Sequence, residues 1–132
     1  MIRMHVTTPS LAAAMERLNI RNAAAIQVDN TVFLSGLTAV DTETGELIPG
    51  GIREHARHTL ELYRTILTDI GLSLDHVVKV NAYLADPADF TAWNEEYLQV
   101  FEPPYPCRTT VTAPPVFGII ELELVAALEP RR

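Results

Sequence analysis

Apolar residues recur along the chain with two different periods, and the switches between them predict its elements. Residues 24–28 and 31–35 are short β-prone runs separated by Asp29-Asn30, which tolerate the positive φ of a tight turn. They predict a hairpin ending at Gly36. The polar cluster Asp41-Thr42-Glu43-Thr44-Gly45 leads into Glu46-Leu47-Ile48, a third short strand or extended loop, and Pro49-Gly50-Gly51 breaks the chain again. From Ile52 the period becomes helical, with Ile52, Ala56, Leu60, Tyr63, Ile66 or Leu67, and Ile70 forming a stripe stopped by Gly71. Val77-Val78-Lys79-Val80-Asn81-Ala82-Tyr83-Leu84 is β-branched with partial alternation, as a central strand would be. Asp86-Pro87 has the form of a helix cap followed by proline, and Phe90, Trp93, Tyr97 and Phe101 then repeat at helical spacing until Pro103-Pro104. That stripe reads as a helix packing on a sheet rather than a platform for stacking bases. Residues 108–113 and 119–128 are the last two strands, joined by Pro114-Pro115-Val116-Phe117-Gly118. The order βββ-α-β-α-ββ implies a two-layer α+β fold. Upstream, Ser10 caps an alanine-rich segment over residues 11–18, which belongs to an N-terminal extension over residues 1–20.

Composition narrows the function more than the fold. The 132 residues fit a single domain over 1–132, and 48% hydrophobic with 20% charged residues describes a packed chain rather than a disordered one. A net charge of −7, with only 10 scattered Lys and Arg, disfavours nucleic acid as a partner, because phosphate neutralisation needs clustered cations. Cys107 is the one cysteine, so neither an internal disulfide nor a thiolate metal site is expected, and a reducing cytoplasm is the expected location. No apolar run approaches the about 18 residues that span a bilayer, so no membrane association is expected.

Candidate chemistry concentrates in the last two strands. Arg108 follows a proline-rich loop and opens a β-branched strand; its planar fork suits bidentate capture of a carboxylate, and equally a structural ion pair. Glu121 and Glu123 share one strand face while Ile120, Leu122 and Leu124 take the other, so they are either surface charges or groups placed near Arg108. His55 and His58, three apart on the first helix, lack a convincing third ligand and read as a polar helix face. Cys107 reads as a small loop residue, since no histidine adjoins it to make a nucleophile. Asn94 is a polar amide within a packing helix and needs a hydrogen-bond partner or a pocket.

Taken in order, Val32-Phe33-Leu34-Ser35-Gly36, the turn cluster at 41–45, Val77–Leu84, Phe90-Thr91-Ala92-Trp93-Asn94-Glu95-Glu96-Tyr97, Pro106-Cys107-Arg108-Thr109-Thr110-Val111 and Ile120-Glu121-Leu122-Glu123 resemble the RidA (YjgF, or endoribonuclease L-PSP) family. The resemblance runs from about Ala24 to Ala126. It implies a chorismate-mutase-like α+β fold, a homotrimer with a barrel-like core, and a site at each subunit interface. It also implies hydrolysis of reactive 2-imino acids, such as those derived from 2-aminoacrylate, to 2-keto acids and ammonia, without a cofactor or metal. By resemblance, Arg108 binds the substrate carboxylate, Glu121 positions or activates the attacking water, Ser35 and Gly36 line the site, and Asn94 matches the family's helix asparagine. The alternatives are a non-catalytic trimer that binds small carboxylates or keto acids, and an endoribonuclease or translation inhibitor, which the acidic charge disfavours. Two departures reshape the pocket: Asn22 stands in place of a tyrosine, removing an aromatic hydroxyl, and Thr110 stands where many members have cysteine. Arg21, in the altered segment, adds a positive group that would admit a dicarboxylate or a larger acid, such as an aminomuconate-like substrate.

Overall fold

Alternation of side chains is what gives the sheet its two unlike faces. In a computed structural model, which describes residues 2–6 and 9–132, the strands are β1 (Ile2–Val6), β2 (Ala25–Val28), β3 (Thr31–Leu34), β4 (Val77–Leu84), β5 (Cys107–Thr112) and β6 (Ile120–Ala127). They form one sheet in the order β1-β2-β3-β6-β4-β5, antiparallel except for the β4/β5 pair. On β6, Ile120, Leu122, Leu124 and Ala126 are fully buried while the intervening residues are half-exposed. Each such leucine contributes about 1.5–3 kcal/mol by leaving water.

The helices α2 (Ile52–Asp69) and α3 (Phe90–Val100) cover that buried face. Ala56, Leu60, Tyr63, Ile66 and Leu67 of α2 join Trp93 and Tyr97 of α3 in one core with Val80, Ala82, Leu122 and Leu124. Gly71, at φ 83, ends the α2 turn in the left-handed conformation that a side chain would oppose. The parallel β4/β5 pair needs a crossover, and α3 provides it. The opposite sheet face carries Ile26, Phe33 and Val111, all exposed.

Three expectations are corrected. Residues 46–48 form no strand; Leu47 makes only an isolated bridge to Val40, because the Asp41 carboxylate takes the amides of Glu43 and Thr44 and curls the chain. Asp86 does cap a turn with Pro87 following it, but the turn is 3-10 and α3 begins only at Phe90. The segment read as an extension is built into the fold: β1 pairs with β2 as a sixth strand, and α1 (Pro9–Arg17) buries Leu11 and Ala14. The observed order is therefore β-α-ββ-α-β-α-ββ.

Candidate functional site

Glu121 stands on the open sheet face, and the chain around it is fastened from several sides. Leu37 and Leu122 exchange backbone hydrogen bonds of 2.9 and 3.0 Å, which lays residues 35–37 alongside β6. Gly36 is consequently so close that a Cβ there would sit 2.5 Å from Glu121 Oε2. Ser35 donates its hydroxyl to the Ala23 carbonyl and its amide to that of Ala24. From beneath, the fully buried Tyr63 points its hydroxyl at the carbonyls of Ser35 and Leu122, 2.7 Å from each. Burial, followed by the charges of Glu121 and Glu123, pushes the Tyr63 phenol well up, so it stays a neutral donor.

Burial also raises the Glu121 carboxyl above the usual range, and the neighbouring Glu123 charge adds to the effect. Glu123 accepts from Tyr83 Oη at 3.1 Å and Asn81 Nδ2 at 3.2 Å. The Glu123 hydrogen bond is the main cause that raises the Tyr83 phenol. Tyr83 faces Glu121 across the β4/β6 register, and together with Gly36 and Glu123 they line an open cleft of about 260 Å³. A second cavity, of about 300 Å³, is lined by Asn22, Ser35, Gly36 and Glu121 with residues of α1. An aromatic hydroxyl thus does stand beside Glu121, although Asn22 replaces the expected tyrosine. Sequence reasoning missed it; the signal was Tyr83 falling on the same strand face as Lys79 and Asn81.

Arg108 belongs to a second cluster. It pairs with Val80 in register, on the helix-covered face, and its guanidinium carbon lies 4.3 Å from the Tyr97 ring centroid and 5.6 Å from that of Phe90. The stripe expected to be wholly core therefore divides: Trp93, Tyr97 and Phe101 are buried, while Phe90 stays exposed against Arg108. Asn94, half-buried, shares the α3 face of Phe90 and Tyr97 by helical spacing. Thr110 Oγ1 accepts from Trp93 Nε1 at 3.4 Å. Arg108 Nη1 is buried and has no hydrogen-bond partner among the described residues.

One chain does not unite the two clusters. β5 and β6, consecutive in the sequence, are separated by β4 in the sheet. Arg108 lies in the row of Val80 and Leu124, whereas Glu121 lies in the row of Tyr83 and Val111, on the opposite face. Asn22, Ser35, Gly36 and Glu121 meet at one place, while Arg108 packs on Tyr97 and Thr110 accepts from Trp93, both on α3, the helix that also carries Asn94.

The two histidine candidates have structural partners. His55 and His58 present Nε2 to the carbonyls of Ile48 and Val40, tying the 37–51 loop to α2. Among the described residues no group of three or more His, Cys, Asp or Glu is placed to hold a metal. Cys107 is exposed as the first residue of β5. No helix among the described residues is long and apolar enough to cross a membrane.

Residues 14–128 match the family model described as Endoribonuclease L-PSP. The chain is 38% identical over 108 residues to the 2-iminobutanoate/2-iminopropanoate deaminase of Capra hircus, covering 80% of this chain and 79% of that protein. Among solved structures it resembles RidA from the Antarctic bacterium Psychrobacter sp. PAMC 21119, with a TM-score of 0.76, 31% identity, and 96% and 97% of the two chains covered. It also resembles Escherichia coli TdcF with bound serine, with a TM-score of 0.74, 26% identity, and 96% and 97% covered.

Proposed function

The chain belongs to the endoribonuclease L-PSP family, which includes RidA, and from that premise we propose that it is a deaminase hydrolysing 2-imino acids to 2-keto acids and ammonia. The observation that carries the reading is the buried Arg108 Nη1 donor with no partner among the described residues. An unpaired buried donor is costly, and a substrate carboxylate would satisfy it with a charge-assisted bond. The related deaminase named for 2-iminobutanoate and 2-iminopropanoate, and the serine bound to TdcF, are both consistent with a small carboxylate ligand.

Arg108 and Glu121 face opposite ways, so one substrate can touch both only if two copies contribute. We assign Glu121, Ser35, Gly36 and Asn22 to one wall of the site, and Arg108 of the partner subunit, with Asn94 and Thr110, to the other. Three copies closing as a homotrimer would give three equivalent sites, and would cover the exposed Ile26, Phe33 and Val111 of the open face. The exposed free thiol of Cys107 suits a reducing compartment such as the cytoplasm.

In the reaction, Arg108 of the partner subunit fixes the carboxylate and so orients the imine carbon. Glu121 removes a proton from water as its oxygen bonds to that carbon, forming a carbinolamine. That proton then passes to the amine nitrogen, the freed Glu121 carboxylate takes the carbinolamine hydroxyl proton as the keto carbonyl forms, and the C–N bond breaks to release ammonia. A carboxyl raised by burial suits this exchange, because it both accepts and returns a proton.

The test is hydrolysis of 2-iminobutanoate with the oligomeric state measured in parallel. Acceleration by the wild type, and its loss in a still-trimeric Arg108→Ala, is the expected result. A wild type that gives no acceleration would overturn the reading in favour of a carboxylate-binding protein.

A further inference from the structure

The cavity beside Glu121 is larger and more apolar than a short imino acid requires. Its volume is about 300 Å³, at the lower end of the usual range for ligand pockets, whereas 2-iminopropanoate would offer it only a methyl group. Leu11, Ala14, Met15 and Leu18 wall it on the α1 side, with Leu37 and Val40 from the loop after β3. Among the described residues, Glu121 is the one ionisable side chain in that lining.

From this we infer that the site selects 2-imino acids with a bulky apolar side chain, branched aliphatic or aromatic, over 2-iminopropanoate. The inference rests on the deaminase reading above. With the imine carbon held at Glu121 and the carboxylate drawn to Arg108 of the partner subunit, the substituent on that carbon is the part of the substrate free to enter the chamber. A charged substituent fits badly there, because burying a charge without a partner is strongly unfavourable. Arg21, read from the sequence as a cation that would admit a dicarboxylate, is exposed and does not line the chamber.

Two features keep the chamber open and apolar. Ala14, nearly fully buried, is the smallest side chain that still favours helix, so α1 lies over the cavity without filling it. Val116 and Phe117, both exposed, complete the lining from the loop before β6 and supply apolar surface for a larger substituent.

The measurement is the ratio of kcat/KM for 2-imino-4-methylpentanoate to that for 2-iminopropanoate, in the wild type and in Met15→Trp. Since one methylene in an apolar pocket discriminates by about 10-fold or more, the wild-type ratio is expected to exceed ~10 and to collapse toward one when tryptophan fills the chamber. A wild-type ratio near one, or a high ratio unchanged by Met15→Trp, overturns the inference. Leu18→Trp, at a more exposed lining position, reads the same ratio should Met15→Trp fail to fold. Binding of 4-methyl-2-oxopentanoate and of pyruvate, measured by calorimetry, separates the two readings. If no imine is hydrolysed, the deaminase reading fails alone: tighter binding of the branched keto acid, lost in Met15→Trp, still supports the chamber, and equal binding of the two overturns it.

Discussion

Two arginines of this protein lie over aromatic rings at the α3 end of the molecule, and they differ in where their N–H groups go. Arg131 has its guanidinium carbon 5.6 Å from the Phe101 centroid and spends its donors on the protein: Nε on the Pro104 carbonyl, Nη1 on those of Leu74 and Val77, and Nη2 on that of Glu102. Arg108 sits closer to its ring, Tyr97, yet leaves a buried Nη1 without an acceptor among the described residues. The first is a clamp that gathers the C-terminus and two loops. The second has the same ring support and a donor left over, which supports the proposal that it receives a substrate carboxylate. A stacked arginine is therefore diagnosed by its unspent donors rather than by its burial.

The sharpest way to break this contrast is to change each arginine in turn. Arg108→Lys keeps the charge but loses the planar fork, and kcat/KM on 2-imino acids should fall on the order of 10²–10³-fold with Tm close to wild type. Arg131→Ala should do the reverse, costing about 1–3 kcal/mol as four carbonyls lose their donor, seen as a Tm lower by several degrees with kcat/KM unchanged.

Glu121 extends the contrast to the anionic side. Glu121→Gln should lower kcat about 10²-fold, the contribution of a positioned proton-transfer group. The same variant tests the raised pKa through stability. A carboxyl whose folded pKa is raised contributes fully below its ordinary value of 4.5 and loses that contribution as pH climbs through the folded value. The Tm of Glu121→Gln should therefore gain on wild type as pH rises from 4.5 toward neutrality, and a constant difference would contradict the raised pKa. The smallest effect is expected from Tyr63→Phe, which removes one hydroxyl from between the Ser35 and Leu122 carbonyls. A loss of about 1–2 kcal/mol in denaturant titration is expected, with only a modest fall in kcat.

Much of the fold was legible because short-range rules decided it. Asp29, at φ 52, makes the expected tight turn, and Gly71 stops α2 where the stripe ends. The insertion of β6 between β3 and β4 was not legible, since strand order depends on pairing between residues far apart in sequence. That gap extended to the site. Alternation within β5 separates Arg108 from Cys107 and Thr109, but only the parallel register with β4 fixes which of those faces meets α3. Asn22, Ser35, Gly36 and Glu121 were expected to be neighbours and do share a cavity. Tyr83 was overlooked because its partner, Glu123, lies 40 positions away. The alanine-rich run at residues 11–18 was read as part of an N-terminal extension, and small side chains are what a cavity wall needs.

That wall has an evolutionary consequence. α1 touches the chamber but supplies neither Glu121 nor Arg108, and it joins the sheet through the edge strand β1 rather than through the central pairing of β4 and β6. On the proposed reading, substitutions along one face of this nine-residue helix would change which substrate side chains fit while leaving Glu121 and Arg108 untouched, so that selectivity and chemistry could evolve separately.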